Sequence, residues 1–537
     1  MLRIRIGLGK RELQAARADD IRPYMELRKE RSSMATQKRK RSGNSILRAV
    51  FVALSFMLQL GWILVQILAL NNSPYIAAAT QLIAVLAVLR LYSKPTNAAY
   101  KLPWIMLMMA MPIMGLSLYL LTQLALSPKS IRKRLQSMKE KNAEFLANKK
   151  IPQGLAPEER NLAKYLEKYE GMPAWGETDA KYYGETLDAL ADMKKDLEAA
   201  EKFIFMEYFI LEDGEAFSQI REILERKAAE GVEVRLMYDD LGSIGTTSWR
   251  YALDLQQSGI HCKAFNPALP FLNLFLNNRD HRKITVIDGK VGYTGGYNLA
   301  DEYFHYTKPY GHWKDTGIRL EGRAVRNLTA TFLELWNVSS RTLEDVAPYL
   351  DIEHSVEALG AVQPFGDSPL DGERSAENVY LNMINQAKDY VWIMTPYLII
   401  TDELRRAMEL AAKRGVDVRL ITPGVPDKKT VWAVTRSYYA PLVSGGVRIF
   451  EYAPGFCHGK MAVSDGCVAS IGTSNLDYRS LYLHFENNVV LYRCDAVKQM
   501  EADFREMFPI CREMTEEYRS VSLRIWQCIL RLFAPLM

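Results

Sequence analysis

One pattern is written twice in this chain, as His281, Lys283 and Asp288 in HRKITVID and as His458, Lys460 and Asp465 in HGKMAVSD. The chain holds only 7 histidines, so two of them falling by chance into one His-x-Lys-x4-Asp spacing is improbable. The histidines and the lysines are both 177 residues apart, which points to a molecule built from two equivalent halves. The surrounding sequence repeats as well: KFIFMEYFIL is echoed by DYVWIMTPYLII, GVEVRLMYDD by GVDVRLITPG, and GIHCKAFNP by GVRIFEYAP. Each half is expected to run strand, helix, strand, and then a strand leading into the His/Lys word. The intervening helices, AFSQIREILERKAAEG and ELRRAMELAAKRG, are amphipathic and end at a glycine suited to a C-terminal cap.

On a strand, residues two apart face the same way, so each word projects an imidazole and an ammonium towards one point. Asp288-Gly289 and Asp465-Gly466 are favoured hairpin turns, and the two aspartates are expected to shape those turns more than to touch substrate. Breaking and remaking a phosphodiester needs a nucleophile that can later leave, an acid for the departing oxygen, and cations around the transition-state oxygens. Two histidines supply the first two roles, and Lys283 and Lys460 stand where many phosphoryl-transfer sites use metal ions. Glycine-rich turns follow each word, GGYN and GTSN, and Asn298 and Asn475 there are candidates to cradle phosphate oxygens. An attacking imidazole also needs its second nitrogen held by a carboxylate, and Asp315 in HWKDTGIRL and Glu486 in HFENNVVLY occupy corresponding places after the two words. The other five histidines, His261, His305, His312, His354 and His484, have no repeated context; His312 and His484 precede the two carboxylates, which makes a substrate contact conceivable, but structural or surface roles are expected for all five.

The first third of the chain has a different character. Residues 1–45 carry both charge signs and read as a charged tail ending in the basic run Lys38 to Arg41; Met34 is an alternative start. Three apolar runs follow, 46–70, 75–92 and 102–124, and each is a candidate span. Basic residues flank the set on both sides, with Lys129, Arg132, Lys133, Arg134, Lys139 and Lys141 after the third run. Three crossings cannot put both flanks in the cytoplasm, so the conflict is relieved if one candidate, the Pro112 and Gly115 segment or the shorter second run, enters without crossing. The net charge of +5 is mild, and its concentration before the α/β region suggests an anionic membrane surface as partner before nucleic acid. Six cysteines lie scattered without C-x-x-C or regular spacing to histidine, so neither a disulfide framework nor a metal site is expected.

On the paired words with GGYN and GTSN, the chain resembles the phospholipase D superfamily over roughly residues 178–510. On the apolar runs before the tandem region, the word NPALPFLNLFLNNRDHRK and the tail LRIWQCILRLFAPLM, it resembles more narrowly the bacterial cardiolipin synthases. The resemblance implies two phospholipase D-like α/β domains packed as a pseudo-dimer, 178–350 and 351–515, behind N-terminal transmembrane helices in 46–124. A basic juxtamembrane linker would occupy 125–177 and an amphipathic tail 516–537, with Leu523, Ile525, Trp526, Ile529, Leu530 and Phe533 on its apolar side. It implies transfer between two phosphatidylglycerol molecules to give cardiolipin and glycerol, without cofactor, in a multi-pass protein of the bacterial plasma membrane. His281 would be the nucleophile and His458 the acid, with Lys283, Lys460, Asp288 and Asp465 completing the two words. The apolar stretch Pro270, Phe271, Leu272, Leu274, Phe275 and Leu276 before His281 would admit acyl chains. The alternatives are a membrane phospholipase D or other phosphatidyltransferase using water or another alcohol, a nuclease of the same superfamily, or a non-catalytic scaffold.

Overall fold

The computed structural model describes residues 74–537 apart from 95–96, 125–127, 148–151, 249, 268–276, 341, 516–524, 528–529, 532–533 and 535–537, together with scattered positions between 50 and 68. Most of the candidate span 46–70 and all of the apolar stretch from Pro270 to Leu276 lie outside the described residues.

The duplication is visible in the order of the strands. The first half contributes β1 (Thr178–Tyr183), β2 (Phe203–Tyr208), β3 (Glu233–Asp239), β4 (His261–Phe265), β5 (Lys283–Ile287), β6 (Val291–Gly295), a short β7 (His312–Lys314) and β8 (Gly317–Gly322). The second contributes β9 (Ala361–Asp367), β10 (Tyr390–Met394), β11 (Asp417–Pro423), β12 (Arg448–Tyr452), a short β13 (Gly455–Cys457), β14 (Met461–Ser464), β15 (Val468–Gly472), β16 (Glu486–Tyr492) and β17 (Cys511–Met514). The first sheet runs β1-β8-β6-β5-β2-β3-β4, and the second, read from its other edge, runs β9-β16-β15-β14-β10-β11-β12-β17. Strand for strand the two orders are the same, with β17 added at one edge. In each, the first two crossovers are parallel, β2 to β3 to β4 and β10 to β11 to β12, and the strands bearing the His/Lys words run antiparallel to their neighbours.

The central strands are buried along their whole length, as FIFMEY in β2 and KITVI in β5, because helices cover both faces. The crossover helix Asp402–Lys413 illustrates why these segments are helical. Thr401 caps its first turn by accepting from Leu404 N–H, Asp402 and Glu403 sit at its positive end, and Leu404, Ala407, Met408 and Ala411 form its buried stripe. The helix Val325–Val338 is buried on nearly all sides and packs against strands of both sheets. Asn327 on it accepts from Trp175 Nε1 at 2.7 Å and donates to the carbonyls of Pro173 and Pro364, so its amide is spent joining the two halves.

The N-terminal region departs from expectation in two places. The helix Pro74–Tyr92 is long and apolar enough to cross a bilayer, by length and composition. The third candidate, 102–124, is not one helix but two of 13 residues, Ala98–Ala110 and Pro112–Leu124, broken at Met111. A Cβ placed on Gly115 would lie 2.5 Å from Met108 Cα, whereas residues seven apart in one helix are about 10 Å apart. The chain therefore folds back there, and each arm, about 20 Å long, is too short for a hydrocarbon core of about 30 Å. The 125–177 segment is also more than a linker. It forms the helices Pro128–Leu146 and Pro157–Glu170, with Arg134 donating to the carbonyls of Asn337 and Ser340 and Lys139 paired with Glu170 and Asp371. Part of the basic run is therefore committed to holding the tandem domain. In the C-terminal tail, Ile525 and Trp526 are exposed while Leu530 and Ala534 are buried and Arg531 stacks on Tyr438 at 4.2 Å; Leu523, Ile529 and Phe533 lie outside the described residues.

Candidate active site

The two His/Lys words meet across the interface between the halves, and backbone pairing decides how. Ahead of β5, His281 N–H donates to the Phe485 carbonyl at 2.9 Å and Phe485 N–H donates to the Arg279 carbonyl at 2.8 Å. Ahead of β14, the short strand β13 pairs in parallel with β7, and His458 N–H donates to the Lys314 carbonyl at 2.6 Å. Each histidine is thus laced to the segment that carries the other half's carboxylate. Glu486 follows Phe485 and sits 2.9 Å from His281 Nδ1; Asp315 follows Lys314 and sits 2.7 Å from His458 Nδ1. The two pairs cross between halves. With Nδ1–H donating to a carboxylate, the lone pair of each imidazole is on Nε2.

Lys283 Nζ donates to the His281 carbonyl at 2.6 Å, and Lys460 Nζ lies 2.9 Å from the His458 ring nitrogens. All four groups are buried, and their crowding governs their protonation. Burial, and then Lys283, holds His281 well below the ordinary histidine range. Burial and Lys460 lower His458 to about 4. Burial lowers Lys283 to about 7 and Lys460 to about 8 against the pull of the carboxylates. Burial alone would raise Asp315, but His458 and Lys460 together pull it below its usual value, while Glu486 is raised well above by burial that Lys283 only partly offsets. The resting site has two neutral imidazoles and lysines poised near neutrality, a state that an anionic phosphodiester would shift back towards full charge.

The charged residues around the first word are spent on holding it. Arg279 pairs with Asp239 at 2.7 Å, the Asp280 N–H donates to the same carboxylate at 2.9 Å, and Arg282 pairs with Glu207 at 2.5 Å, all buried. Asp288 and Asp465 lie at the far ends of the strands. Asp288 accepts from the N–H groups of Glu201, Lys202 and Phe203, and Asp465 from those of Lys388, Asp389 and Tyr390, at 2.7 to 2.9 Å. Both have positive φ, 52° and 51°, as do Gly289 and Gly466 after them, which is the geometry of a tight hairpin turn. Asp288→Ala or Asp465→Ala would leave three backbone donors unpaired and is expected to cost about 2–4 kcal/mol in denaturant unfolding. Unchanged stability with lost activity would instead give these aspartates a chemical role.

Asn298 is partly engaged by the protein: its Oδ1 accepts from Ile210 N–H at 3.0 Å and one N–H of its Nδ2 donates to the Tyr303 hydroxyl at 2.9 Å. Asn475 differs, with a buried Oδ1 that has no partner. Sequence reasoning passed over the aromatic walls, Phe209 at 4.9 Å from the His281 ring and Tyr303 and Trp313 at 5.3 and 5.5 Å from His458. It also passed over Thr473, whose hydroxyl donates to Glu486, and it ranked a substrate contact for His484 below a structural role, although that ring lies 5.5 Å from the ring of His281. His484 lies in the bend between the helix Tyr478–Tyr482 and β16, two residues before Glu486.

Comparison with known proteins agrees with this geometry. A family model described as "Cardiolipin synthase, PLD-like domain" matches residues 193–336 and 380–508. A cardiolipin synthase of Geobacillus sp. (strain WCH70) is 34% identical over 454 residues, 82% of this chain and 89% of that protein. A protein named cardiolipin synthase 2 from Bacillus cereus is 38% identical over 347 residues, 64% of this chain and 67% of that protein. Among solved structures, a phosphatidylserine synthase of Haemophilus influenzae has the same fold with a TM-score of 0.52 at 16% identity, covering 70% of this chain and 97% of that one.

Proposed function

This chain belongs to the cardiolipin synthase family, and from that premise we propose that it joins two phosphatidylglycerol molecules into cardiolipin, releasing glycerol, through a phosphatidyl-histidine intermediate. The observation that carries the reading is the crossed pairing of two buried imidazoles with two carboxylates, His281 with Glu486 and His458 with Asp315. A single histidine could not serve as nucleophile and acid at once; two facing ones can. Binding of the anionic phosphodiester draws His458 into its imidazolium form, Nδ1–H on Asp315 and Nε2–H towards the leaving group; His281 Nε2 attacks phosphorus, the bond from phosphorus to the glycerol oxygen breaks, and His458 delivers its Nε2 proton to that oxygen. The terminal hydroxyl of a second phosphatidylglycerol then gives its proton to His458 and attacks phosphorus, and the bond from phosphorus to His281 breaks. Lys283 and Lys460 balance the charge gathered on the phosphoryl oxygens in both steps.

Phosphatidylglycerol supplied in liposomes to the purified protein should yield cardiolipin and glycerol in equal amounts. Phosphatidate without cardiolipin would assign water as the acceptor and reject the synthase reading. The lysines make the activity sensitive to alkali. Their folded values of about 7 and about 8 mean that their charge is present below that range and lost as pH rises through it. We therefore expect kcat/KM to decline from pH 7 upward; a flat profile between pH 6 and 9 would remove the lysine ammonium groups from the mechanism.

The reading includes a membrane. Crossings by 46–70 and by the helix Pro74–Tyr92, with the broken 98–124 segment returning to its side of entry, would leave Lys38 to Arg41 and the basic residues after 128 on one face. Labelling of single cysteines introduced near residues 40 and 130 should then occur from the same side; labelling from opposite sides would require an odd number of crossings.

A further inference from the structure

His484 is buried to 8% exposure beside the catalytic centre, yet neither of its ring nitrogens makes a hydrogen bond. Its Nδ1 lies 3.7 Å from Glu486 Oε1, too far for a hydrogen bond, and its ring packs near Phe209 and His281. A buried imidazole without partners is unfavourable, and such groups in folded proteins are usually satisfied by something bound. Burial, and then the charge of Arg479, holds His484 well below the ordinary histidine range, so it carries one N–H donor and one acceptor.

The surroundings indicate what would satisfy it. His484 lines a cavity of about 250 Å³ that extends past Arg374 and Tyr482 to Asn97 and Tyr100, where the folded-back apolar helices begin. Arg374 stacks over Tyr482 at 4.3 Å, and Arg479 Nε is buried without a hydrogen-bond partner. The acids lining the same cavity are compromised as competitors for these cations. Burial pushes Asp367 well above the usual carboxylate range, and Glu373 already accepts from Tyr165 and Asn378. The cavity therefore runs from an apolar, membrane-type segment to His484, the neighbour of His281, and offers an anion Arg374 and a neutral donor, with Arg479 adding positive charge beside His484.

We propose that this cavity is a headgroup subsite for phosphatidylglycerol, in which the His484 ring hydrogen-bonds the glycerophosphate and Arg374 supplies its counter-charge. This rests on the reading of phosphatidylglycerol as substrate. The test measures binding of dihexanoylphosphatidylglycerol to the full-length His281→Asn protein, so that it does not depend on turnover, while cardiolipin formation by the unsubstituted protein tests the substrate reading separately. His484→Phe in that background is expected to weaken binding about tenfold or more, and Arg374→Gln likewise, whereas His484→Asn, which keeps an N–H donor, should stay within about threefold. Because His484→Phe removes an unpaired buried polar group, the thermal midpoint should hold or rise. Unchanged affinity, or a lowered midpoint, would overturn the proposal and make His484 a structural residue. The ligand atoms of His281, His484 and Glu486 all lie within 4.8 Å of one another, so a metal is the competing occupant. Loss of activity in EDTA, restored by a divalent ion, would assign the site to that metal and overturn the proposal as well.

Discussion

His281→Asn and His458→Asn should each lower cardiolipin formation from phosphatidylglycerol by at least about a thousandfold, with no change in the unfolding transition. Asparagine matches much of the imidazole's shape and offers an N–H, but it neither attacks phosphorus nor exchanges a proton near neutral pH. Both substitutions should be equally silent because in the proposed mechanism the two histidines act in the same step: without His281 no covalent adduct would form, and without His458 the glycerol would have no proton with which to leave. Trapping with phosphorus-labelled lipid separates the roles. Quenched, otherwise active protein should carry label on His281, and the His281→Asn protein none. Appreciable turnover by either variant would end the two-histidine mechanism, and label on His458 would exchange the roles while preserving the chemistry.

The second large effect is expected from the crossed carboxylates. Glu486→Gln and Asp315→Asn keep the size of each side chain but present an amide to Nδ1, removing the charge that holds the imidazole's tautomer and steadies its cationic form. Each should cost about 10²- to 10⁴-fold in kcat. Reactivity of the individual histidines reports the crossing itself. Glu486→Gln should alter carbethoxylation of His281 and leave His458 alone, and Asp315→Asn should do the reverse, because the pairs are His281 with Glu486 and His458 with Asp315. Changes confined within each half would contradict the backbone lacing of 279–281 to 485 and of 455–458 to 312–314.

Much of this arrangement is legible in the sequence for local reasons. The alternation of His281 with Lys283, the Asp-Gly turns and the repeated strand-helix-strand phrases depend on periodicities of two and 3.6 and on the φ preference of turn residues, which operate over a few positions. The third apolar run is open on that local logic, a candidate span by hydropathy and, through Pro112 and Gly115, a candidate to enter without crossing. Its hydropathy suits a span, but Pro112 removes a backbone donor and Gly115 permits the two arms to touch at Met108, so a continuous apolar stretch becomes a folded-back pair. Asn298 shows the other limit, since its place after a glycine-rich turn suggested phosphate, and only the arrival of Ile210 and Tyr303 committed part of its amide elsewhere.

The duplicated fold and the four basic groups proposed to do the chemistry are legible in the chain alone, because they rest on short-range pattern and on residue type. It takes the packing of the two halves to set which carboxylate lies against which histidine, how far the lysines fall towards neutrality, and that His484 sits unpaired at the end of a cavity leading from the apolar helices. Pairing across the halves joins residues more than 140 positions apart, as with His458 and Asp315, and desolvation depends on everything that packs around a group. Neither is carried by the identity of near neighbours along the chain.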